Sequence, residues 1–324
     1  MRAVVLGAGA VGGGVAALLH RVDARTCVVA RGATLEAVRA QGLRFWQREE
    51  QWTARPEAYA GLDRVEWTDD SVLLVAVKSH QTAALVPLLR HVPAHVPVVA
   101  LQNGVDNERL LLRHRPDVHG VVVMMPASSL EPGQVVLHSG DRPGLLDVGR
   151  YPAGTDAVDE ALSAHLRSAG FESEPRADVM AWKRRKLLLN LGNAVDAACV
   201  PGPDADRLRE VLRAEGVAAL RAAGLAVVSE EQDAERRGSL LRPLLRRDEA
   251  GSSTWQSVAR GAAETEADHL NGEVVLLGRL HGVPTPANEA VRRALADLVA
   301  AGGQPRTVEA GGLLAGLSDA GGRC

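Results

Sequence analysis

The chain has 324 residues, a formal net charge of −3 and 46% apolar residues, which suits a folded chain of about two domains and excludes a disordered one. With 3% aromatic residues and no basic excess, it lacks the stacking side chains and positive field of a nucleic-acid binder, so that partner class is excluded. Only three of its 37 Lys+Arg side chains are lysines (Lys78, Lys183 and Lys186); the rest are arginines, which cannot give up a proton near neutral pH.

In chain order, Ala3–Leu6 reads as a strand and Val11–His20 as a helix. A second strand follows at Thr26–Ala30 and a second helix at Leu35–Gln41. Residues Leu43–Thr53, with Phe45, Trp46 and Trp52, read as extended β excursions. The continuous apolar run Val72–Val77 is the pattern of a strand buried on both faces. Further strand-like runs occur at Val98–Leu101, Gly120–Met125, Val135–His138 and Leu145–Val148. Strands alternating with helices predict a parallel, doubly wound sheet of the Rossmann type.

After about residue 175 the chain becomes rich in Ala, Leu, Arg and Glu and reads as helices at Asp178–Val200, Asp206–Ser229, Ser253–His281 and Asn288–Ala301. Pro201, Pro203, Pro243, Pro284 and Pro286 punctuate them. The shift in composition places a boundary between an α/β domain at 1–174 and an all-α domain at 175–324. The final glycine pairs, through Gly321-Gly322, predict a loose tail.

Arg2 followed by small and apolar residues up to Leu19 imitates a secretory leader, but five glycines in that stretch ill suit a leader helix. No run elsewhere approaches the ~18 apolar residues of a membrane span. Cys27, Cys199 and Cys324 are an odd number without a CxxC, so neither a disulfide framework nor a zinc site is expected, and a reducing cytoplasm is. His91 and His95 are four apart, yet Pro93 between them argues against a helix aiming both at one ion. No metal is expected.

Gly7-Ala8-Gly9-Ala10-Val11-Gly12 is a GxGxxG that directly follows a strand and opens a helix, as a dinucleotide turn requires. Gly7 suits the tight turn, Gly9 a close backbone approach to a pyrophosphate, and Gly12 close helix–strand packing. The helix N-terminus offers the anion unpaired N–H groups and a partial positive charge. An NAD site usually puts Asp or Glu at the end of the second strand. This chain has Ala30-Arg31-Gly32 there, and a guanidinium can pair with a 2′-phosphate, so NADPH is the expected cofactor. Lys78 and the Gln102-Asn103-Gly104 turn end two further strands, where ligands of open α/β sheets bind.

Wound at 100° per residue, Lys183, Lys186, Asn190 and Asn193 fall within an arc of about 80°, with Leu187, Leu188, Leu189 and Leu191 in the packed directions. A polar stripe on so apolar a helix faces either solvent or a polar cavity. Ser252-Ser253-Thr254-Trp255-Gln256 and Glu264–Glu273 form a second polar cluster, which also reads as a helix cap with an acidic exposed face.

Taken in order, these motifs resemble the ketopantoate reductases over nearly the whole chain. The match runs through the GxGxxG turn, Val77-Lys78, Gln102-Asn103-Gly104, Lys186 with Asn190, the serines before Gln256, Glu266-x-Asp268-x-x-Asn271-Gly272 and Gly282–Asn288. The resemblance implies NADPH-dependent reduction of ketopantoate, a 2-keto acid, to pantoate on the route to coenzyme A. Its pattern makes Lys186 the general acid and sets Asn103 between nicotinamide and substrate. Asn190, Asn193 and Ser253 become substrate contacts, Glu266 a contact near the reacting centre, and Ala127 a backbone contact to the cofactor.

Lys183 shares the arc of Lys186 and stays open as the donor. Asn193 follows Asn190 by three residues where the family pattern has four, and Trp255 and Gly192 suit a paralogue acting on another 2-keto acid. A β-hydroxyacid or opine-type dehydrogenase shares the two-domain plan, and a non-catalytic NADPH sensor is the reading from another class. Ala/Leu-rich C-terminal helices could support a homodimer.

Overall fold

The computed structural model describes residues 1–48, 50–140, 142–238 and 251–321. The chain forms two compact units, Met1–Lys183 with Ser229–Leu245, and Arg184–Val228 with Arg246–Cys324.

In the first unit, in chain order, are β1 (Arg2–Leu6), α1 (Ala10–Val22), β2 (Cys27–Val29), α2 (Gly32–Gln41), β3 (Leu43–Gln47), β4 (Glu50–Ala54) and β5 (Glu57–Tyr59). Then come β6 (Ser71–Val75), α3 (Thr82–Leu85), β7 (Val98–Ala100), α4 (Asn107–Leu112), β8 (Val118–Met124) and β9 (Ala127–Ser128). The series continues with β10 (Gln134–Leu137), β11 (Leu145–Arg150) and α5 (Ala157–Ser168).

Seven strands form one sheet in the order β11-β8-β7-β6-β1-β2-β5, parallel except for β11. Strand β1 lies between β2 and β6, so the chain reverses its direction of growth across the sheet at the β1 carboxyl end. Every residue of β1 is buried because its alternate side chains feed two cores. Ala3 and Val5 join Val15, Leu19, Phe45 and Val135 on one face, whereas Val4 and Leu6 join Leu85, Leu89 and Leu111 on the other. The segment Leu43–Thr53, read as β excursions, forms β3 and β4 of a second sheet of order β4-β3-β10-β9, packed against α1.

The main chain after α5 lies along the outer edge of β11. Leu146 N donates to Glu172 O at 2.8 Å and Val148 N to Glu174 O at 3.1 Å, while Arg176 N donates back to Val148 O at 2.7 Å. Helix α6 (Val179–Asn190) begins in the first unit, and the division falls inside it, after Lys183.

The second unit contains the rest of α6, α7 (Gly192–Ala198) and α8 (Pro203–Ala222). Helix α9 (Glu230–Arg237) belongs to the first unit. The second unit resumes with α10 (Ser253–Ala259), α11 (Ala267–His281), α12 (Pro286–Ala300) and α13 (Ala310–Gly321). Leu208, Leu212, Leu220, Val274, Val291 and Leu295 fill its core.

The observed elements differ from the sequence pattern in four respects. Asp178–Val200 is two helices broken at Leu191, and Ser253–His281 is two helices separated by residues 260–266. Helix α8 stops at Ala222, so Asp206–Ser229 is not one helix. Ala310–Gly321 is helical where a loose tail is expected, while Cys324 and Pro243 lie outside the described residues. Arg176 and Arg236 both bond the buried Asp147 of β11. Arg176 Nε lies 3.2 Å from Asp147 Oδ2, and Arg236 Nη2 lies 2.7 Å from Oδ1. That carboxylate ties residues beyond 175, and α9, to the first unit.

Candidate functional site

The first unit gathers a set of groups at the carboxyl ends of neighbouring strands. Gly7 has φ +103°, and a Cβ there would sit 2.9 Å from Val77 Cγ1. A Cβ on Gly12 would collide with the Gly7 carbonyl oxygen and lie 2.7 Å from Ala76 Cβ, so the helix can approach the strand only with glycine there. Gly9, by contrast, faces open space and caps α1 without a side-chain hydrogen bond. Ala8 is buried, and Ala10 and Val11 form the partly exposed first turn of α1, which carries no acidic residue. A helix N-terminus has unpaired backbone N–H groups, and beside this one Gly9 leaves open space where a Cβ would stand.

Arg31 is exposed at the N-cap of α2, just past β2. Lys78 follows β6, and its backbone N donates to Gln81 Oε1 at 3.2 Å. Asn103 follows β7, and its Oδ1 is buried with no hydrogen-bond partner. Ala127 sits in β9, paired with Leu137 and packed against the α1 side of the core. All the cofactor positions proposed from sequence, Glu266 aside, thus belong to this unit.

Lys183 behaves differently from the other members of the expected stripe. Its side chain is buried, with Nζ 2.8 Å from Glu108 Oε1, 2.7 Å from Gln102 O and 3.0 Å from Val121 O. Burial pushes the Glu108 carboxyl up, and the ammonium of Lys183 partly opposes that shift. The Lys183 ammonium is thus engaged with a buried carboxylate and two main-chain carbonyls. Nothing local in the sequence distinguishes Glu108 from any other helical glutamate.

In the second unit, Lys186 is partly buried and Asn190 is buried on α6, with Asn190 Nδ2 lacking a hydrogen-bond partner. Asn193 is buried on α7, just past Leu191, which separates α6 from α7 while keeping helical backbone angles. Asn271 bonds the main chain at this point: its Nδ2 donates to Leu191 O at 3.1 Å and to Asn288 Oδ1 at 3.0 Å. Glu215 caps α12 in turn, accepting from the backbone N of Ala287 and Asn288 at 2.8 and 2.9 Å. Glu266 is buried at the N-cap of α11.

Ser253 opens α10, but the N-cap is Ser252, whose Oγ accepts from Trp255 N and donates to Asn193 O at 3.3 Å. Ser252 N also donates to Asp196 Oδ2 at 2.6 Å, and Arg306 Nη2 lies 2.9 Å from Asp196 Oδ1. Arg306 also packs over the Trp255 ring at 5.5 Å. Asp196 and Arg306 therefore fix the Ser253 turn beside Asn193. The one signal for Asp196 in sequence is a lone charge in an apolar helix.

Asp117, His119 and Asp156 bring donor atoms within 4.8 Å of one another, a spacing that could hold a metal ion. The positive charge there is Arg150, 2.8 Å from Asp156 and 3.8 Å from Asp117, and His119 Nδ1 is already bonded to Asp159 Oδ1 at 2.7 Å. Among the described residues no helix is long and apolar enough to cross a membrane.

Two family profiles match this chain: Ketopantoate reductase PanE/ApbA over residues 3–153, and its C-terminal counterpart over residues 178–299. A 2-dehydropantoate 2-reductase of Halobacterium salinarum is 31% identical over 316 residues, covering 92% of this chain and 98% of that protein. The crystal structure of a PanE/ApbA family ketopantoate reductase from Ralstonia eutropha is similar at a TM-score of 0.78 and 27% identity, covering 93% of this chain and 99% of that one. A dimeric ketopantoate reductase from Staphylococcus aureus shares the fold at a TM-score of 0.73 and 20% identity, covering 94% of this chain and 100% of that one. With a GxGxxG turn on a Rossmann-type sheet, a helical second unit and matches to both family profiles, the chain belongs to the ketopantoate reductase family, oxidoreductases acting on CH–OH groups.

Proposed function

We propose that the protein reduces a 2-keto acid to its 2-hydroxy acid with NADPH, and that ketopantoate, giving pantoate for coenzyme A synthesis, is the substrate. The observation that carries this reading is Asn190 Nδ2, a buried donor without a protein partner one helical turn after Lys186. A buried donor left unpaired is costly, so the position is suited to a polar ligand. Asn103 Oδ1 is a matching orphan acceptor in the first unit.

When held at the Gly7–Gly12 turn with Arg31 at its 2′-phosphate, NADPH would supply hydride to the ketone carbon. The carbonyl oxygen then gains negative charge and takes a proton from Lys186, whose ammonium also stabilises the developing alkoxide. Water replaces that proton on the lysine. Asn190, Asn193 and Ser253 hold the substrate hydroxyl and carboxylate, and Asn103 separates nicotinamide from substrate. Glu266 favours the charged form of Lys186. Arg31 supports NADPH over NADH, since the chain leaves β2 through Ala30-Arg31-Gly32, with a guanidinium in place of the Asp or Glu that would repel a 2′-phosphate. The ion pair of Lys183 with Glu108 supports giving the proton-donor role to Lys186.

A homodimer is part of the reading, supported by the dimeric Staphylococcus aureus neighbour. A reducing cytoplasm is supported by the buried free thiols Cys27 and Cys199. The test is spectrophotometric. Protein with ketopantoate should oxidise NADPH, and Lys186→Ala should lower kcat by about 10²–10⁴-fold with NADPH binding intact. Unchanged turnover in that variant would remove the mechanism.

A further inference from the structure

The mechanism above leaves Lys183 without a role, although its burial is elaborately provided for. Its ammonium forms an ion pair with the Glu108 carboxylate and donates to the carbonyls of Gln102 and Val121. Both members of the ion pair are almost fully buried. Strand β8 makes room with Gly120, since a Cβ there would lie 3.1 Å from Glu108 Oε1 and 3.3 Å from Lys183 Cδ.

From Gln102 the contacts continue through buried polar groups toward Asn103. Gln102 Nε2 donates to Val77 O at 2.8 Å and to Thr82 Oγ1 at 2.9 Å. Thr82 Oγ1 donates to Asn107 Oδ1 at 2.8 Å. Asn107 Nδ2 donates to Asn103 O at 3.0 Å and to Ser79 Oγ at 3.1 Å, and Ser79 Oγ donates to Asn103 O at 3.2 Å. The Asn103 main chain is thus gripped at its own carbonyl and, one residue earlier, by Lys183 at the carbonyl of Gln102. Its side chain is left with a buried, unpartnered Oδ1.

We propose that the Lys183–Glu108 ion pair is a positioning device that fixes Asn103 for the nicotinamide end of the cofactor. The proposal rests on the NADPH reading above. It assigns the Lys183 ammonium, anchored by Glu108 and Val121 O, to holding the Gln102 carbonyl just past β7, so Lys183 acts through Asn103 and touches neither substrate nor cofactor. An arginine could carry the charge, but a compact ammonium meets three oxygens converging on one point, which a planar fork does not.

The experiment replaces the pair with apolar residues of similar volume, Lys183→Met with Glu108→Leu, a change that buried ion pairs often tolerate without loss of stability. Affinity is measured by calorimetry for NADPH and for 2′,5′-ADP, which carries the adenine half alone. The expected result is a loss of about tenfold for NADPH, the scale of one hydrogen bond, with 2′,5′-ADP unchanged. The kcat should fall about 10²-fold while the alkaline limb of its pH profile stays in place. Equal weakening of both ligands, or no change in either ligand or in kcat, would overturn the proposal, and so would loss of the alkaline limb, which would make Lys183 the donor. Should the double variant fail to fold, Glu108→Gln keeps the shape of the site and must show the same split between the two ligands. Wild-type protein that binds no NADPH, or reduces no 2-keto acid, would count against the proposed function instead.

Discussion

His119 shows how much one buried side chain depends on its neighbours. Burial alone would lower the pKa of this imidazole, but the hydrogen bond and charge of Asp159, with the charges of Asp117 and Asp156, more than offset it and raise it. Its Nε2 lies 3.2 Å from Asp117 Oδ1, and the ring is inaccessible to solvent. A raised folded-state pKa means the charged form stabilises the fold fully below the unfolded value of about 6.5. That contribution is lost as pH rises through the higher folded value. The urea midpoint should therefore be higher at pH 6 than at pH 9, and His119→Asn should flatten the difference. A midpoint that falls equally in both proteins would place the pH dependence elsewhere.

The two lysines of α6 show what sequence conveys at this scale. A helical wheel puts Lys183 and Lys186 on one arc, and nothing within a few residues separates them. The distinction comes from Glu108 and the Gln102 carbonyl, roughly 75 to 80 residues away along the chain, which claim Lys183 alone. The GxGxxG turn was legible because its requirements are local: a positive φ at Gly7 and the lack of space for a Cβ at Gly12.

Among elements, the strands were legible from apolar runs and the helices were read too long. Leu191 carries no Gly or Pro signal of its own, and the Asn271 side chain that bonds its carbonyl lies 80 positions away. The Gly261 turn before α11 has φ +69°, but one glycine inside an Ala- and Glu-rich stretch is weak punctuation. Asn271→Ala would leave the Leu191 carbonyl and Asn288 Oδ1 without this donor in the interior. It should lower stability by roughly 2 kcal/mol, read as a drop in the urea midpoint. The KM for the 2-keto acid should rise in the same variant, because Leu191 sits between Asn190 and Asn193. Unaltered stability and KM would show that the Asn271 bonds do not hold the main chain at Leu191.

At the scale of the whole molecule, the two-part organisation was legible as a change of composition, while the membership of α9 was not. The Asp147–Arg236 bond joins positions 89 apart, and no periodicity reports such a pairing. A cofactor that binds only the folded chain stabilises it by mass action. NADPH at about 100 times its Kd should add about 2.7 kcal/mol to the unfolding free energy. NADH at the same concentration should add less, and Arg31→Ala should bring the two cofactors level in a thermal melt. Equal stabilisation of the unaltered protein by both would withdraw the case for NADPH from Arg31.

The segment laid along β11 has a consequence for how copies of this chain meet. A sheet that ends in bare main-chain donors and acceptors invites extension by a strand from another molecule, the usual start of aggregation. Here the outward groups of Leu146 and Val148 are already bonded to residues 172–176, and Pro175 in that covering segment has no N–H to offer. The opposite edge is the three-residue strand β5, with Glu57 exposed at its start. On the seven-stranded sheet, therefore, one edge is already occupied by the chain's own main chain and the other is too short to pair with more than a few residues of an added strand.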